Sequence, residues 1–289
     1  MRGAMALIDR TQIEKLVRRA LGEIEGADTE SKASAPVDAT GALMLRPDRG
    51  ANLATPFDAP TLRAIVDATP ARVAVGRAGT RYRTNTLLRF RADHAAAKDA
   101  VTSEVDAALV TQLGLLDVAS RATSKAHFLQ RPDAGRALSD EARVAIAERV
   151  PRGLEVLLIY GDGLSATAIN THLVAFHEAL LRELAARGLR TGQGIFVRRS
   201  RVKVMDEICR LSESQACIFV CGERPGLGFS DSLSAYYIYR PPSGIPTDAD
   251  REVISNINPR GLDVQKAAVA LAEACQRILR DKKSGVLLG

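Results

Sequence analysis

The residues best suited to chemistry form one block, GERPGLGFSDSLSAYYIYRP at 222–241. Gly222, Gly226 and Gly228 are able to take positive φ or to let a backbone come close. Ser230, Asp231 and Ser232 supply short polar side chains for capping and hydrogen bonding. The block follows the apolar run ACIFVC, so it lies at the carboxyl end of a predicted strand, the end at which open α/β sheets bind ligands. Its glycine spacing is neither the dinucleotide GxGxxG nor a P-loop. A ligand-binding loop is the preferred reading, and a plain turn between two strands is the alternative. A second loop, Gly161-Asp162-Gly163-Leu164-Ser165, ends another apolar run and opens on the same side of a parallel sheet. It lacks the glycine–serine spacing of a nucleophile elbow, and Ser165 reads as a helix N-cap.

Arg72, Arg77, Arg81, Arg83, Arg89 and Arg91 cluster with Tyr82 and Phe90. Guanidinium groups on phosphates with rings stacked on bases would make this a nucleic-acid surface. Asp93, Asp99 and Glu104 follow closely, so Arg–carboxylate pairs or a protein interface are preferred. His172 and His177 are five residues apart, off the i, i+4 spacing of a helical metal pair, and His94 and His127 stand alone. Cys209, Cys217, Cys221 and Cys275 sit in apolar segments and read as core thiols. No metal site and no nucleophile–base constellation can be assembled, so no catalytic residue is assigned.

The elements that must position these groups follow from hydrophobic period. The chain has 289 residues, with 40 basic against 34 acidic side chains and a net charge of +6. That balance does not call for nucleic acid. No apolar run approaches the roughly 20 residues of a membrane helix, and MRGAMALIDRTQIEKL lacks the apolar core of a signal peptide. Residues 1–59 read as an amphipathic helix over 11–25 followed by a flexible Ala/Ser/Thr/Asp/Pro/Gly linker. Residues 60–150 read as a smaller helical domain, with PTLRAIVDA, TNTLLRFRADHAAAKDAVTSEV, LVTQLGLL and SDEARVAIAERV as helices and AHFLQRPDAGRALS as loop. Residues 151–289 alternate unbroken apolar runs (LEVLLIYG, GIFV, ACIFVC) with capped helices. That pattern predicts an α/β, Rossmann-like domain with a mainly parallel sheet covered on both faces.

The segments RAGTRYRTNTLLRFRADHAAAKDAV, LQRPDAGRAL, DGLSATAI, VRRSRVKVMDEI, CGERPGLGFSDSLSAYYIYRP and DREVISNINPRGL resemble, in that order, the ethanolamine ammonia-lyase small (light) subunit family. The resemblance covers about residues 70–283. It implies an adenosylcobalamin (coenzyme B12) enzyme that converts ethanolamine to acetaldehyde and ammonia by a radical mechanism. It implies a barrel-type large subunit as partner, with this chain covering the cobalamin from its lower side. The chain has no D-x-H-x-x-G motif, so the resemblance implies cobalamin with its own base on cobalt. Carried over residue by residue, it marks Val202 in RVK, Glu223 in GERPG and Val253 in DREVISN as cofactor contacts; relatives can have Cys at the last position. Arg224 is added as the neighbour of Glu223. Apart from that role, Val202 and Val253 would read as apolar packing and Glu223 as an ion-pair partner of Arg224 or Arg251.

The family also implies a bacterial cytoplasmic enzyme packaged in a microcompartment. Residues 11–25 then read as an encapsulation signal for shell proteins. The alternative function is a self-contained α/β nucleotide- or phosphate-binding enzyme using the 222–232 loop. Neither a nucleic acid nor a membrane is an expected partner.

Overall fold

Six consecutive buried residues, Val156–Gly161 (β4), form the middle of the sheet. The computed structural model describes residues 53, 55–69, 71–240 and 246–285; the helix expected over 11–25 lies outside them. Asp58 caps the first helix, Ala59–Ala68 (α1), which has Pro60 in its first turn. A two-residue hairpin, Arg77–Ala78 (β1) with Arg81–Tyr82 (β2), leads into Thr84–Thr102 (α2).

The expected helix LVTQLGLL divides in two. Ala107–Gln112 (α3) stops at Gly114, whose φ of +62° ends the helical turn, and Leu116–Ala119 (β3) is a strand. The chain continues through Lys125–Gln130 (α4), capped by Ser124, a short 3-10 turn at Ala134–Arg136, and Asp140–Arg149 (α5), capped by Ser139. AHFLQRPDAGRALS is therefore more ordered than its composition predicts, because Ser124 Oγ accepts from His127 N at 3.1 Å.

Beyond β4 come Ala166–Ala186 (α6), Ile195–Arg198 (β5), Val204–Ser212 (α7), Ala216–Gly222 (β6), Leu233–Tyr239 (β7), Glu252–Ile257 (β8) and Val264–Asp281 (α8). The strand order across the sheet is β3-β5-β4-β6-β7-β8. β3, β5, β4 and β6 are parallel, and β7 and β8 are added antiparallel. The architecture is thus α/β with a mainly parallel six-stranded sheet, as the unbroken apolar runs predict. Helices cover both faces. α6 and α8 pack against Leu158, Tyr160, Ile218 and Val220 on one side. α5 and α7 pack against Leu157, Ile159, Cys217 and Phe219 on the other.

All four cysteines are free and buried, as expected of core thiols. No helix among the described residues is long and apolar enough to cross a membrane.

The sheet's connectivity creates a crevice. β4 and β5 are neighbours, yet β4 feeds α6 on one face and β5 feeds α7 on the other. Their carboxyl ends therefore diverge into helices on opposite sides, the arrangement that leaves space for a ligand in open α/β sheets.

Candidate functional site

Side-chain alternation along β6 decides where its last residues point. Cys217, Phe219 and Cys221 enter the core under α5 and α7, so Glu223, two residues on, faces the same side. Cys221 pairs with Ser234 and Phe219 with Tyr236 on β7, and Tyr236 pairs with Val253 on β8. Directly paired residues share a face. Glu223, Ser234, Tyr236 and Val253 therefore lie on one face of the sheet, and Val202, in the turn before α7, packs against the same core. Of the positions that the family resemblance marks, Glu223 and Val253 thus share one face of the sheet, and Val202 packs against the core on that side.

The local geometry is specific. Glu223 N donates to Ser232 O at 2.9 Å. Its Oε1 accepts from Ser234 Oγ at 2.6 Å and from Asn256 N at 2.7 Å, whereas Oε2 accepts nothing among the described residues. The ion pair expected of Glu223 does not form. Arg251 binds Asp206 and Asp248 instead, tying β8 to the first turn of α7, and Arg224 is exposed with no acidic partner among the described residues. Val253 is 46 % exposed rather than core. Burial, together with nearby Cys221 and Glu223, raises the pKa of Tyr236, so it stays a neutral phenol. The result is an open, mostly apolar face with a hydroxyl and one free carboxylate oxygen at its edge. Ser234, Tyr236 and Asn256 were not singled out in the sequence; the i, i+2 spacing of Ser234 and Tyr236 after Cys221 was the available signal.

The two glycine-containing loops interlock. Leu164 N donates to Gly222 O at 3.0 Å, and Ser165 Oγ donates to Ser230 O at 2.5 Å while accepting from Ala168 N at 3.0 Å as the predicted N-cap. Close backbone approach occurs at Gly163 (φ +56°) and Gly222, where a Cβ would overlap the Gly222 and Ser165 carbonyl oxygens respectively. Gly226 and Gly228 differ from expectation: neither has a left-handed φ, and a Cβ at either would meet open space.

Behind this loop Asp231 is buried between His172 Nε2 at 3.5 Å and Arg260 at 3.6 Å. The neighbouring His172 imidazole, with help from Arg260, holds its carboxyl below the usual range. His177 instead bonds the buried Tyr160 hydroxyl at 2.6 Å, and burial lowers its pKa. Both histidines thus have local structural partners. Among the described residues no three His, Cys, Asp or Glu side chains are grouped so as to hold a metal ion.

At the crevice between β4 and β5, Asp162 Oδ1 accepts from Ser200 N at 3.0 Å, and Oδ2 lies 3.6 Å from Lys125 Nζ. Burial pushes its pKa up, and Lys125 pulls it back. In the arginine-rich segment, Arg72 and Arg89 both pair with the buried Asp93, while Arg72 stacks on Phe90 and Arg77 on Tyr82, each at 5.0 Å. The ion-pair reading thus holds for Arg72 and Arg89 of this segment. Beside it, Phe57, Ile65, Leu87 and Leu88 are exposed, and α1 buries none of its residues.

Residues 59–289 match the model of one protein family, described as ethanolamine ammonia-lyase light chain (EutC). The chain is also similar to the ethanolamine ammonia-lyase small subunit of Clostridium acetobutylicum, with 42% identity over 220 residues, covering 76% of this chain and 90% of that one.

Proposed function

The chain belongs to the ethanolamine ammonia-lyase light-chain family, and on that premise we propose that it covers cobalamin at an interface with the large subunit through the face carrying Val202, Glu223 and Val253. As an ethanolamine ammonia-lyase small subunit it is part of a lyase of ethanolamine catabolism. Adenosylcobalamin, when bound, supplies the radical chemistry that begins the conversion of ethanolamine to acetaldehyde and ammonia. The single observation that carries the reading is that Glu223 and Val253 share one sheet face, with Val202 packed against the core on that side. Val253 is too exposed to be core, and Glu223 has an oxygen left to accept a hydrogen bond.

The face fits a wide, amide-edged ring. Val202, Val253 and the ring of Tyr236 offer apolar area, and Glu223 Oε2 offers an acceptor for an amide N–H. Glu223 is held in place by Ser234 and Asn256, so it meets an incoming group without reorganisation. Arg224, exposed beside it, is the fourth contact. These side chains bind, orient and exclude water; the chain contributes no general acid or base to the reaction. The open crevice between β4 and β5 supports a Rossmann-like reading of the fold. The exposed apolar and arginine-bearing side chains of α1 and α2 suit the large-subunit contact, since arginine and large apolar residues are enriched at interfaces. Residues 11–25 serve as an encapsulation signal for a microcompartment shell.

The test is turnover. Purified chain, purified large subunit and their mixture are each assayed for acetaldehyde from ethanolamine with adenosylcobalamin. Only the mixture is expected to be active. Turnover of a nucleotide substrate by the isolated chain, or an inert mixture despite a stable complex, would overturn the reading.

A further inference from the structure

Arg201 and Arg224, just beyond the ends of β5 and β6, pair with no carboxylate among the described residues. The Arg201 guanidinium lies 4.7 Å from the centre of the buried Phe128 ring and donates from Nη2 to Phe128 O at 3.3 Å. Its Nε is buried and donates to nothing among the described residues. Arg201 N is fixed to Gly135 O at 2.7 Å, which holds it beside the 3-10 turn that carries Arg136. Burial lowers the pKa of Arg201, and repulsion from Arg136 and Arg224 lowers it further. No carboxylate pairs with Arg136, Arg201 or Arg224 among the described residues. Lys125 Nζ, 5.4 Å from the centre of the same Phe128 ring, is by contrast balanced by Asp162 at 3.6 Å.

Like charges crowded around a half-buried guanidinium with an orphaned N–H are costly unless an anion joins them. The location agrees. Arg201 follows β5 at the crevice where α6 and α7 diverge, and α7 starts there without a side-chain cap. Arginine's fork of donors suits a phosphate's oxygens. Arg201 and Arg224 are also the sequence neighbours of Val202 and Glu223.

We infer that Arg136, Arg201 and Arg224 form a binding site for a phosphate ester, occupied by the phosphodiester of the corrinoid's nucleotide loop. This rests on the cobalamin reading above.

The experiment uses the complex with the large subunit and two corrinoids that differ by the phosphate alone, cobinamide and cobinamide phosphate. Affinities are measured by visible-absorbance titration. The wild-type complex is expected to bind cobinamide phosphate about tenfold or more tightly than cobinamide, as a set of charge-assisted hydrogen bonds would give. Arg201→Gln and the exposed Arg136→Gln are each expected to shrink that ratio to about threefold or less while leaving cobinamide affinity unchanged. Arg136→Gln guards against a folding defect at the more buried Arg201.

Equal affinity for the two corrinoids in wild type overturns the inference, even where both bind. Inorganic phosphate that stabilises the corrinoid-free complex in an arginine-dependent way, with no preference for cobinamide phosphate, assigns the site to free phosphate and overturns the corrinoid assignment. If neither corrinoid binds the complex at all, it is the cobalamin reading itself that fails.

Discussion

Gly222→Ala is expected to destabilise the chain by about 3 kcal/mol, at the upper end of what overpacking costs. Gly222 ends β6, its carbonyl accepts from Leu164 N, and an added Cβ would overlap the Ser165 carbonyl oxygen and crowd its Cβ. All these atoms are backbone or sit at a helix N-cap, so no flexible side-chain end can yield. Relief requires the two loops to separate, which breaks the Leu164–Gly222 bond and strains the Ser165–Ser230 bond. Thermal or denaturant unfolding measures the loss, at roughly 2–4 °C of Tm per kcal/mol for a chain near this size. Gly226→Ala is the matched comparison. It meets open space and is expected to stay within about 0.5 kcal/mol of wild type. Equal stability of Gly222→Ala and wild type would show that the interlocked loops are not the rigid base of the site.

Val253→Arg is expected to weaken corrinoid binding by the complex at least about tenfold, equivalent to roughly 1.4 kcal/mol, with the fold intact. Val253 lies on β8, the edge strand, and is half exposed. A long charged side chain is well tolerated on an edge strand. The same side chain projects from the face proposed to meet an apolar ring, and a charge desolvated there without a partner is unfavourable. Val253→Ala distinguishes how the contact is made. A small loss of affinity indicates side-chain contact, whereas an unchanged affinity beside the Arg defect indicates contact through the backbone. Full corrinoid affinity in Val253→Arg would remove Val253 from the site.

What the sequence made legible follows from burial. β4, β5 and β6 are covered on both faces, so they appear as unbroken apolar runs such as VLLIYG and ACIFVC. The helix starts at Ser139 and Ser165 are signalled by the caps themselves. β3 is hidden because its four residues alternate beside Leu115, which extends an apparent helical pattern; only Gly114 marks the break. β8 is hidden because an edge strand with one open face carries polar residues, as in EVISNI. The site was legible only in pieces. Period-two alternation from Cys221 places Glu223 on its face, but Ser234 and Val253 join that face only through the β6–β7–β8 pairing, and Val202 reaches that side only through the packing of α7. Nothing local to RVK or DREVISN encodes that. The unbalanced arginines were hidden for the same reason, since Arg136, Arg201 and Arg224 come from three separate segments of the chain.

The most direct measurement is hydroxyl-radical labelling of the complex with the large subunit, with and without cyanocobalamin, read residue by residue by mass spectrometry. Labelling of Tyr236 and Val253 is predicted to fall when cobalamin is present, while Val144, exposed on α5, keeps its labelling. Unchanged labelling of Tyr236 and Val253 in a complex whose visible spectrum shows bound cobalamin would contradict the account.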